Sequence, residues 1–305
     1  MEEALFVVEN SLRHLAAGNA TSRLRERVVG GPDVQVNTML AADYEQGIHG
    51  FKTYTVASGV YRFFVYLYDS ESSDLLAIIE ANRMGQIRTG AATGVATNLM
   101  ARANATDVGI LGSGSQAPTQ LEAVCQVRAI HRVRVYSPTF VNRERFANDM
   151  SQRLGVEVLP VESPRHAVDG ADIVVTITSS REPVLEGAWL SQGMHVAAVG
   201  GADPYVRELD DEAVQRADLI VVDDLAQAKI ESGELMMPAS RGLVLWEQMR
   251  ELWQVVSGEV AGRKSDDDVT LFKSLGMGLW DIAAARVVYD NAVASDAGRR
   301  LGASS

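Results

Sequence analysis

Residues 107–123 read Asp-Val-Gly-Ile-Leu-Gly-Ser-Gly-Ser-Gln-Ala-Pro-Thr-Gln-Leu-Glu-Ala, and this stretch decides the fold. The apolar run 108–111 predicts a short buried strand, the glycines of 112–114 predict a tight turn, and a helical pattern begins at Gln116. A strand, a glycine turn and a helix N-terminus offer backbone N–H groups and a positive dipole end to a pyrophosphate. Ala117 stands where the usual motif has a third glycine, a position that requires only close packing of helix on strand. For the motif alone, a glycine turn before a surface helix is the alternative.

Downstream of this turn, short apolar runs alternate with helical patterns. Strands are predicted near 133–136, 156–159, 172–177, 195–199 and 219–222, and helices over 116–130, 142–154, 164–169 and 246–256. Alternation of this kind builds a parallel sheet with helices on both faces, so it predicts a doubly wound Rossmann domain. We place this dinucleotide-binding domain at residues 105–265.

The flanking segments follow a different pattern. Helices are predicted over 2–17, 82–99 and 279–294, and strands near 28–29, 34–39, 50–55, 61–68 and 75–79, without helices between the strands. The last helix carries an apolar face that we expect to pack back on the first strands. The chain is therefore predicted to be an α/β protein whose Rossmann domain is inserted into a strand-rich α+β domain. That second domain, for substrate binding and dimerisation, is formed by both chain ends, residues 1–104 plus 266–305.

Composition and charge limit the classes of partner. The 305 residues carry a net charge of −12, whereas nucleic acids and anionic membranes attract basic patches, so neither partner is expected. No apolar run approaches the roughly 18 residues that cross a bilayer, and the acidic N-terminus lacks the basic start of a signal peptide, so a cytoplasmic protein is expected. The single Cys125 excludes an intrachain disulfide, and the five histidines show no ligand spacing, so no metal site is expected.

Blocks of residues spread along most of the chain carry a family resemblance. The blocks are 51–52, 87–92, 109–117, 120–123, 199–202, 207–210, 231–234 and 270–276. In these blocks, and in their order, the chain resembles the ornithine cyclodeaminase/mu-crystallin family. The resemblance implies an NAD(P)-dependent enzyme that acts on a small amino acid or a cyclic imine. It also implies a homodimer that pairs through the first domain.

The reaction implied by the resemblance is hydride transfer between a nicotinamide and an amino-acid α-carbon, by way of an imine. The first activity it suggests is that of ornithine cyclodeaminase, which converts L-ornithine to L-proline and ammonia. A ketimine reductase or an alanine dehydrogenase-like enzyme, as in the mu-crystallin branch, is the first alternative. A non-catalytic protein that binds NADP or a small ligand is an alternative of another class.

Lys52 and Arg88 match the family's pair for the substrate carboxylate, and the resemblance assigns both of them to catalysis and to substrate binding. A guanidinium together with an ammonium is a suitable clamp for a carboxylate. Relatives also contact the substrate through an arginine before the early strands, where Arg25 and Arg27 are both available, and we assign this role to Arg27. Leu275 is expected to border the substrate and the nicotinamide. For each basic residue the alternative is an ordinary surface position.

The proton-transfer residue is where the sequence departs from the family pattern. Cyclodeaminases carry an aspartate two residues before a proline at this point, and here that position is Ala202. Asp203 follows it directly, and we predict that Asp203 takes over the catalytic role. The alternative is that Asp203 is only a turn residue before Pro204. Without an acid at this step, ammonia expulsion is doubtful, whereas ketimine reduction demands less proton transfer.

The dinucleotide is expected to lie on residues from several loops. The predicted contacts are Thr89, Gly112, Gly114, Ser115, Gln116, Ser137, Thr139, Arg143, Thr176, Thr178, Val199, Gly200, Gly201 and Ser274. NAD-selective folds place Asp or Glu at the end of the second strand, but this chain has no carboxylate there before Glu144. Small hydroxyls with Arg143 suit a 2′-phosphate, so NADP(H) is favoured over NAD(H). The alternative is that Arg143 merely begins a surface helix.

Overall fold

A computed structural model describes residues 1–31 and 33–300 of the chain. The helices are α1 (Glu2–Ala16), α2 (Asn82–Met100), α3 (Ala117–Val127), α4 (Phe140–Leu154), α5 (Pro164–Val168), α6 (Asp211–Gln215), α7 (Leu225–Glu231), α8 (Gly233–Ser240), α9 (Leu252–Val256) and α10 (Gly278–Ala294). The strands are β1 (Ala20–Ser22), β2 (Glu26–Gly31), β3 (Val34–Asp43), β4 (Ile48–Ala57), β5 (Val60–Asp69), β6 (Leu75–Glu80), β7 (Asp107–Leu111), β8 (Arg132–Tyr136), β9 (Glu157–Pro160), β10 (Ile173–Thr176), β11 (His195–Ala198), β12 (Leu219–Val222), β13 (Arg250–Glu251) and β14 (Thr270–Lys273).

The first sheet is antiparallel, with six strands in the order β1-β3-β4-β5-β6 and with β2 also paired to β3. Side chains alternate along β4, so Ile48 and Lys52 are buried while Phe51 faces the opposite side. Ile48 packs against Leu279 and Ile282 of α10, as the sequence predicts for the last helix. The sheet therefore presents Lys52 to the face that α10 covers.

The second sheet has eight strands in the order β13-β12-β14-β11-β10-β7-β8-β9, and the neighbouring pairs are all parallel. Its central strands are buried on both faces, so apolar residues fill most of their positions, with polar residues only at the strand ends. From β7 the chain builds outward first through β8 and β9, then in the other direction through β10 and β11. The loops after β7 and β10 thus flank the crevice where open α/β sheets bind ligands. The structure confirms the predicted α/β fold with its strand-rich region.

The last part of the parallel sheet departs from the prediction. Residues 246–256 do not form one helix, because Arg250 and Glu251 pair with the end of β12 and leave only a 3-10 turn and the short α9. Strand β14 is hydrogen-bonded between β11 and β12, although the predicted boundary assigned 266–305 to the other domain. Helices α6, α7 and α8 have no counterpart in the prediction. The division into two domains remains a prediction, and 301–305 lie outside the described residues.

Helix α2 connects the two sheets, and two of its glycines allow α3 to pack against it closely. A Cβ at Gly90 would lie 2.3 Å from the carbonyl oxygen of Thr119, and one at Gly94 would lie 3.1 Å from the Cβ of Ala123. Glycine inside a helix costs about 1 kcal/mol against alanine, and here the close approach explains why it is present. The packing brings Thr89 of α2 beside the turn that precedes α3.

Residues 1–31 and 33–300 contain neither a membrane-spanning helix nor a cluster of metal ligands. No helix in that part of the chain has the length and apolar character needed to cross a bilayer. Within the same residues, no three His, Cys, Asp or Glu side chains come together to hold a metal ion. Cys125 is half-buried, and burial raises the pKa of its thiol to about 12, so it stays protonated and unreactive at neutral pH.

Candidate active site

A cavity of about 110 Å³ lies between the inner face of the antiparallel sheet and the glycine turn before α3. It is lined by Arg25, Met39, Lys52, Tyr54, Phe63, Ala81, Asn82, Gly85, Arg88, Thr89 and Gln116. Three of these side chains are basic, and none is acidic. The cavity therefore suits a small anion, with apolar wall provided by Met39 and Phe63.

Lys52 and Arg88 share one buried counter-charge, Asp281 of α10. The Oδ1 atom of Asp281 accepts from Lys52 Nζ at 3.0 Å and from Arg88 Nε at 2.9 Å. All three side chains are buried, and Arg88 Nη1 and Asp281 Oδ2 have no hydrogen-bond partner. Two cations with one carboxylate leave net positive charge and a free guanidinium N–H in a dry site, which is the arrangement that attracts a second carboxylate.

The ammonium of Lys52 has an unusual environment. Burial, reinforced by the Arg88 guanidinium and opposed by Asp281, lowers the pKa of Lys52 from 10.5 to about 8. The face of the Phe63 ring lies 5.1 Å from Nζ, within the range of a cation–π contact. Lys52 is thus still mostly protonated at neutral pH, but it loses its charge within the pH range in which enzymes are assayed.

Of the two arginines available before β2, Arg25 lines the cavity and Arg27 does not. The Arg25 side chain is only 4% exposed, forms an ion pair with Glu231 and donates to the carbonyl oxygen of Leu275 at 2.7 Å. Arg27 is 29% exposed and donates to Asn37 Oδ1 at 3.0 Å. The geometry therefore favours Arg25 for the role we assigned to Arg27, because the guanidinium of Arg27 lies farther out.

The glycine turn has the form that a dinucleotide requires. Gly112 has φ +113°, and a Cβ there would lie 2.3 Å from the carbonyl oxygen of Ile177, so the turn can only be made by glycine. Gly114 and Ser115 are exposed, and no atom lies within 4 Å of a Cβ built on Gly114, so a phosphate can approach the backbone. Gln116 lines the cavity, and its buried Oε1 has no partner. These features fit a pyrophosphate at the N-terminus of α3.

The end of β8 presents hydroxyls and one arginine to the same crevice. Ser137 is buried and bonded through its Oγ to Ser113 at 2.8 Å, while Thr139 is exposed. Arg143 donates to the Ser137 carbonyl oxygen at 2.9 Å, and its guanidinium lies 5.2 Å from the centre of the Phe140 ring. The arginine is thus held at the strand end where a ribose 2′-substituent would lie.

The loops after β10 and β11 are joined through a buried carboxylate. Thr176 is fully buried and donates to Glu208 Oε2 at 2.7 Å, so its hydroxyl supports the loop and does not face the crevice. Thr178 is half-buried and remains available, and the backbone from Val199 to Gly201 passes beside it. Of these two predicted dinucleotide contacts, only Thr178 is therefore accessible from the crevice, and its role remains a prediction.

The loop after β14 is held in a similar way by Asp223 at the end of β12. Ser274 Oγ donates to Asp223 Oδ2 at 3.1 Å, and the backbone N–H groups of Leu275 and Gly276 donate to the same oxygen. A Cβ at Gly276 would lie 2.9 Å from Arg88 Nη1, so this loop closes over the guanidinium. Ser274 and Leu275 are not among the residues that line the cavity, and Leu275 reaches it only through the hydrogen bond that its carbonyl oxygen accepts from Arg25.

The structure places Asp203 in a turn. Its Oδ1 accepts from the backbone N–H of Tyr205 at 2.9 Å, the contact of a turn residue before Pro204. The neighbouring Ala202 carbonyl oxygen accepts from Arg27 at 3.3 Å. No side chain of the proton-transfer type stands at position 202, and Asp203 is engaged in local structure.

Several charged residues of the site escaped the sequence analysis. Asp281, Glu231, Asp223 and Glu208 are all buried and had been given no role, although the quoted blocks 207–210 and 231–234 contain two of them. An acidic residue within an apolar run is the one local signal that could have singled them out, since such groups are almost never buried without a partner.

A dinucleotide turn with a buried cationic cavity beside it is an arrangement typical of NAD(P)-dependent enzymes that act on small anionic substrates. The model of the ornithine cyclodeaminase/mu-crystallin family matches residues 1–296, and the chain belongs to this family. A Delta(1)-pyrroline-2-carboxylate reductase from Bacillus cereus is 37% identical over 238 residues, which cover 78% of this chain and 73% of that protein.

Two solved structures resemble the whole chain. Thermococcus litoralis Delta(1)-pyrroline-2-carboxylate reductase, in complex with NADH and L-proline, is 33% identical with a TM-score of 0.95, covering 99% of this chain and 96% of that one. An archaeal alanine dehydrogenase dimer with bound NAD is 32% identical with a TM-score of 0.93. The match covers 99% of this chain and 95% of that one. The predicted family and the predicted class of NAD(P)-dependent amino-acid and imine chemistry are confirmed.

Proposed function

We propose that this protein is an NADPH-dependent reductase of small cyclic 2-imino acids, with Delta(1)-pyrroline-2-carboxylate as substrate and L-proline as product. The observation that carries the proposal is the small cavity in which Lys52, Arg88 and Arg25 converge beside Gln116 of the dinucleotide turn. A five-membered ring with one carboxylate has the size and charge for such a cavity. The similarity to a reductase crystallised with NADH and L-proline supports the same substrate class.

In this proposal the substrate carboxylate binds the free N–H groups of Arg88 and the ammonium of Lys52. Asp281 holds both cations from the opposite side, so they are oriented before the substrate arrives. The ring carbons then lie against Met39 and Phe63. Binding of this kind fixes the imine carbon in one place and excludes water from it.

The reaction adds a hydride to the imine carbon, and the reduced nicotinamide supplies that hydride when bound. A substrate that arrives with its nitrogen protonated needs no further acid, because the hydride converts the iminium directly to the neutral secondary amine. The site with Ala202 and a turn-bound Asp203 suffices for this step. Cyclodeamination would also require proton removal from an ammonium and proton delivery to leaving ammonia, which makes it the weaker candidate.

The function is tested with two parallel assays on the purified protein. With Delta(1)-pyrroline-2-carboxylate and NADPH, we expect NADPH oxidation and formation of L-proline; with L-ornithine and NAD+, we expect neither proline nor ammonia. Ammonia release from ornithine would favour the cyclodeaminase and refute the proposal. If the cofactor binds but no imine or 2-oxo acid is reduced, the protein is a non-catalytic protein that binds NADP or a small ligand.

Preference for NADP(H) is part of the proposal. No carboxylate stands at the end of β8 to bind ribose hydroxyls, and the Arg143 guanidinium is held there by Ser137 and Phe140. Arg143→Ala is expected to weaken NADPH binding by about 1.5–3 kcal/mol, or about 10- to 100-fold, and to leave NADH binding within about twofold. Fluorescence titration measures both constants, with the exposed neighbour Arg145→Ala as control. Equal losses for NADPH and NADH would contradict the assignment of Arg143 to a 2′-phosphate.

Substrate affinity should depend on pH through Lys52. The ammonium is charged below its pKa of about 8 and neutral above it, so carboxylate binding is strongest below pH 8. We expect the dissociation constant of pyrrole-2-carboxylate, a planar ring acid whose nitrogen does not titrate here, to rise up to about tenfold per pH unit above that value. Calorimetry from pH 6 to 10 measures it. Lys52→Met should bind weakly at every pH without this rise; a wild-type profile in that variant would refute the role of Lys52.

We also propose that two copies pair through the outer face of the antiparallel sheet. That face carries the stacked rings of Phe51, Tyr66 and Tyr68, and Leu40 on it is 46% exposed. Exposed apolar patches of this kind mark contact surfaces. Leu40→Glu is expected to shift the protein from dimer to monomer in sedimentation velocity, whereas Val293→Glu on α10 should not. A wild-type monomer, or a dimeric Leu40→Glu variant, would contradict this surface.

A further inference from the structure

Gly200, the second residue after β11, is held from both sides of its backbone by buried charged groups. Its N–H donates to Glu208 Oε2 at 2.9 Å, and its carbonyl oxygen accepts from Lys273 Nζ at 2.7 Å. A Cβ at Gly200 would lie 2.4 Å from the carboxyl carbon of Glu208 and 2.4 Å from the carbonyl oxygen of Thr178, so the chain is tightly enclosed. The backbone of Gly200 thus connects its own loop with the loop after β10, the segment that carries Glu208 and strand β14.

Glu208 acts in this arrangement only as an acceptor. Its Oε1 accepts from the backbone N–H of Thr178, and its Oε2 accepts from the Thr176 hydroxyl and from Gly200. The residue is fully buried, and burial raises the pKa of its carboxyl while Lys273 opposes that rise. Three donors around one carboxylate specify its orientation and, with it, the spacing of the loops after β10 and β11.

Lys273 completes the arrangement from β14. Its ammonium is fully buried, pairs with Glu234 Oε1 at 2.7 Å, and also reaches the Gly201 carbonyl oxygen at 3.3 Å. Glu234 lies in the first turn of α8, which packs on the loop after Gly201 through Gly233. The buried ammonium therefore donates hydrogen bonds to two backbone carbonyl oxygens and has Glu234 as its counter-charge, which fixes its position beside Gly200 and Gly201.

We infer that Glu208 and Lys273 are positioning residues that hold the backbone of Gly200 and Gly201 against the nicotinamide half of the dinucleotide. The inference rests on the proposed function, since it needs a dinucleotide that extends from the turn at Gly112 to this loop. Neither residue touches the cavity; each acts through the glycine backbone. The other half of the dinucleotide would lie on the turn before α3, to which neither Glu208 nor Lys273 is hydrogen-bonded.

Glu208→Gln is the most specific test because it keeps the volume of the side chain and changes only its charge and its hydrogen bonds. Both carboxylate oxygens accept from N–H or O–H groups, so an amide must point its NH₂ group at one set of donors. The loop must then shift to relieve that contact. Asp172→Asn is the matched control, since Asp172 also accepts from two backbone N–H groups but lies at the amino end of β10, at the opposite edge of the sheet.

The test compares binding of the whole dinucleotide with binding of its adenosine fragment. The ratio of the dissociation constants of NADP+ and 2′-phospho-ADP-ribose should rise about tenfold in Glu208→Gln and stay unchanged in Asp172→Asn, because only the nicotinamide half is affected. The rate constant of hydride transfer, measured in a single turnover with saturating substrate, should fall by a similar factor in Glu208→Gln but not in Asp172→Asn. If the protein prefers NAD(H), the pair NAD+ and ADP-ribose replaces these ligands.

Distinct outcomes separate the inference from the function it rests on. A wild-type protein that binds no dinucleotide overturns the proposed function. A wild-type protein that binds and reduces as expected, with an unchanged ratio and transfer rate in Glu208→Gln, overturns the inference. If Glu208→Gln fails to fold, Thr176→Val removes one donor to Glu208 at constant volume and should raise the ratio in the same direction; an unchanged ratio there overturns the inference equally.

Discussion

Replacement of Arg88 by methionine is expected to lower kcat/KM for imine reduction by about 1,000-fold. The change keeps much of the buried stem but removes the guanidinium that would clamp the substrate carboxylate, and it leaves the partner oxygen of Asp281 with Lys52 alone. Truncating one member of a buried, hydrogen-bonded charge pair costs about 2–5 kcal/mol, and about 4 kcal/mol corresponds to the stated factor. Steady-state kinetics with Delta(1)-pyrroline-2-carboxylate and NADPH measures the effect.

Two further variants identify the cause. Arg83→Met lies on the same helix, is exposed and contacts only Gln86, so it should keep wild-type kinetics. Arg88→Lys keeps the positive charge but not the planar guanidinium. Its kcat/KM should therefore lie between those of the wild type and of Arg88→Met. If Arg88→Met retained more than about a tenth of the wild-type kcat/KM, which corresponds to about 1.4 kcal/mol, Arg88 would not be the carboxylate ligand.

Asp281→Asn is expected to lower the free energy of unfolding by about 3–5 kcal/mol. Asp281 is the buried counter-charge of both Lys52 and Arg88, so the variant leaves two buried cations without an anion. The loss should shrink at high pH, because Lys52 without its carboxylate partner has an even lower pKa and sheds its charge. Urea denaturation at pH 7 and pH 9 measures both effects.

The matched control for Asp281 lies nine residues further along the same helix. Asp290 is exposed and pairs only with Arg286, so Asp290→Asn should change stability by less than about 0.5 kcal/mol. Combining Asp281→Asn with Lys52→Met should cost less than the sum of the two single changes, since one unpaired cation is removed with its carboxylate. Additive losses would show that Asp281 acts independently of Lys52.

Much of the fold follows from local patterns that are visible in the sequence. The run 108–111 with its glycine turn, the alternating strands that follow, and the last helix all depend on residues that are neighbours along the chain. Strand β14 and residues 246–256 depend instead on residues that are distant along the chain. β14 is a strand because β11 and β12 flank it. The four residues of β14, which begin with Thr270 and end with Lys273, do not distinguish a strand from a loop until those partners are in place.

The choice between Arg25 and Arg27 shows the same limit within the site. The two residues are two positions apart before and at the start of β2, so extended backbone directs both side chains to the same side. Their charges are equal, and no local signal separates them. Glu231 pairs with both arginines, so the hydrogen bond from Arg25 to the Leu275 carbonyl oxygen, 250 residues away, is what distinguishes Arg25.

The sequence by itself predicts a Rossmann turn for a dinucleotide, and the family resemblance predicts that Lys52 and Arg88 bind the substrate carboxylate, because glycine turns and short motifs are local. The tertiary structure decided what surrounds those cations. Lys52 and Asp281 are 229 residues apart, yet their contact lowers the net charge of the cavity and orients the lysine. Contacts of this kind come from packing α10 on the antiparallel sheet, and packing depends on the whole chain at once.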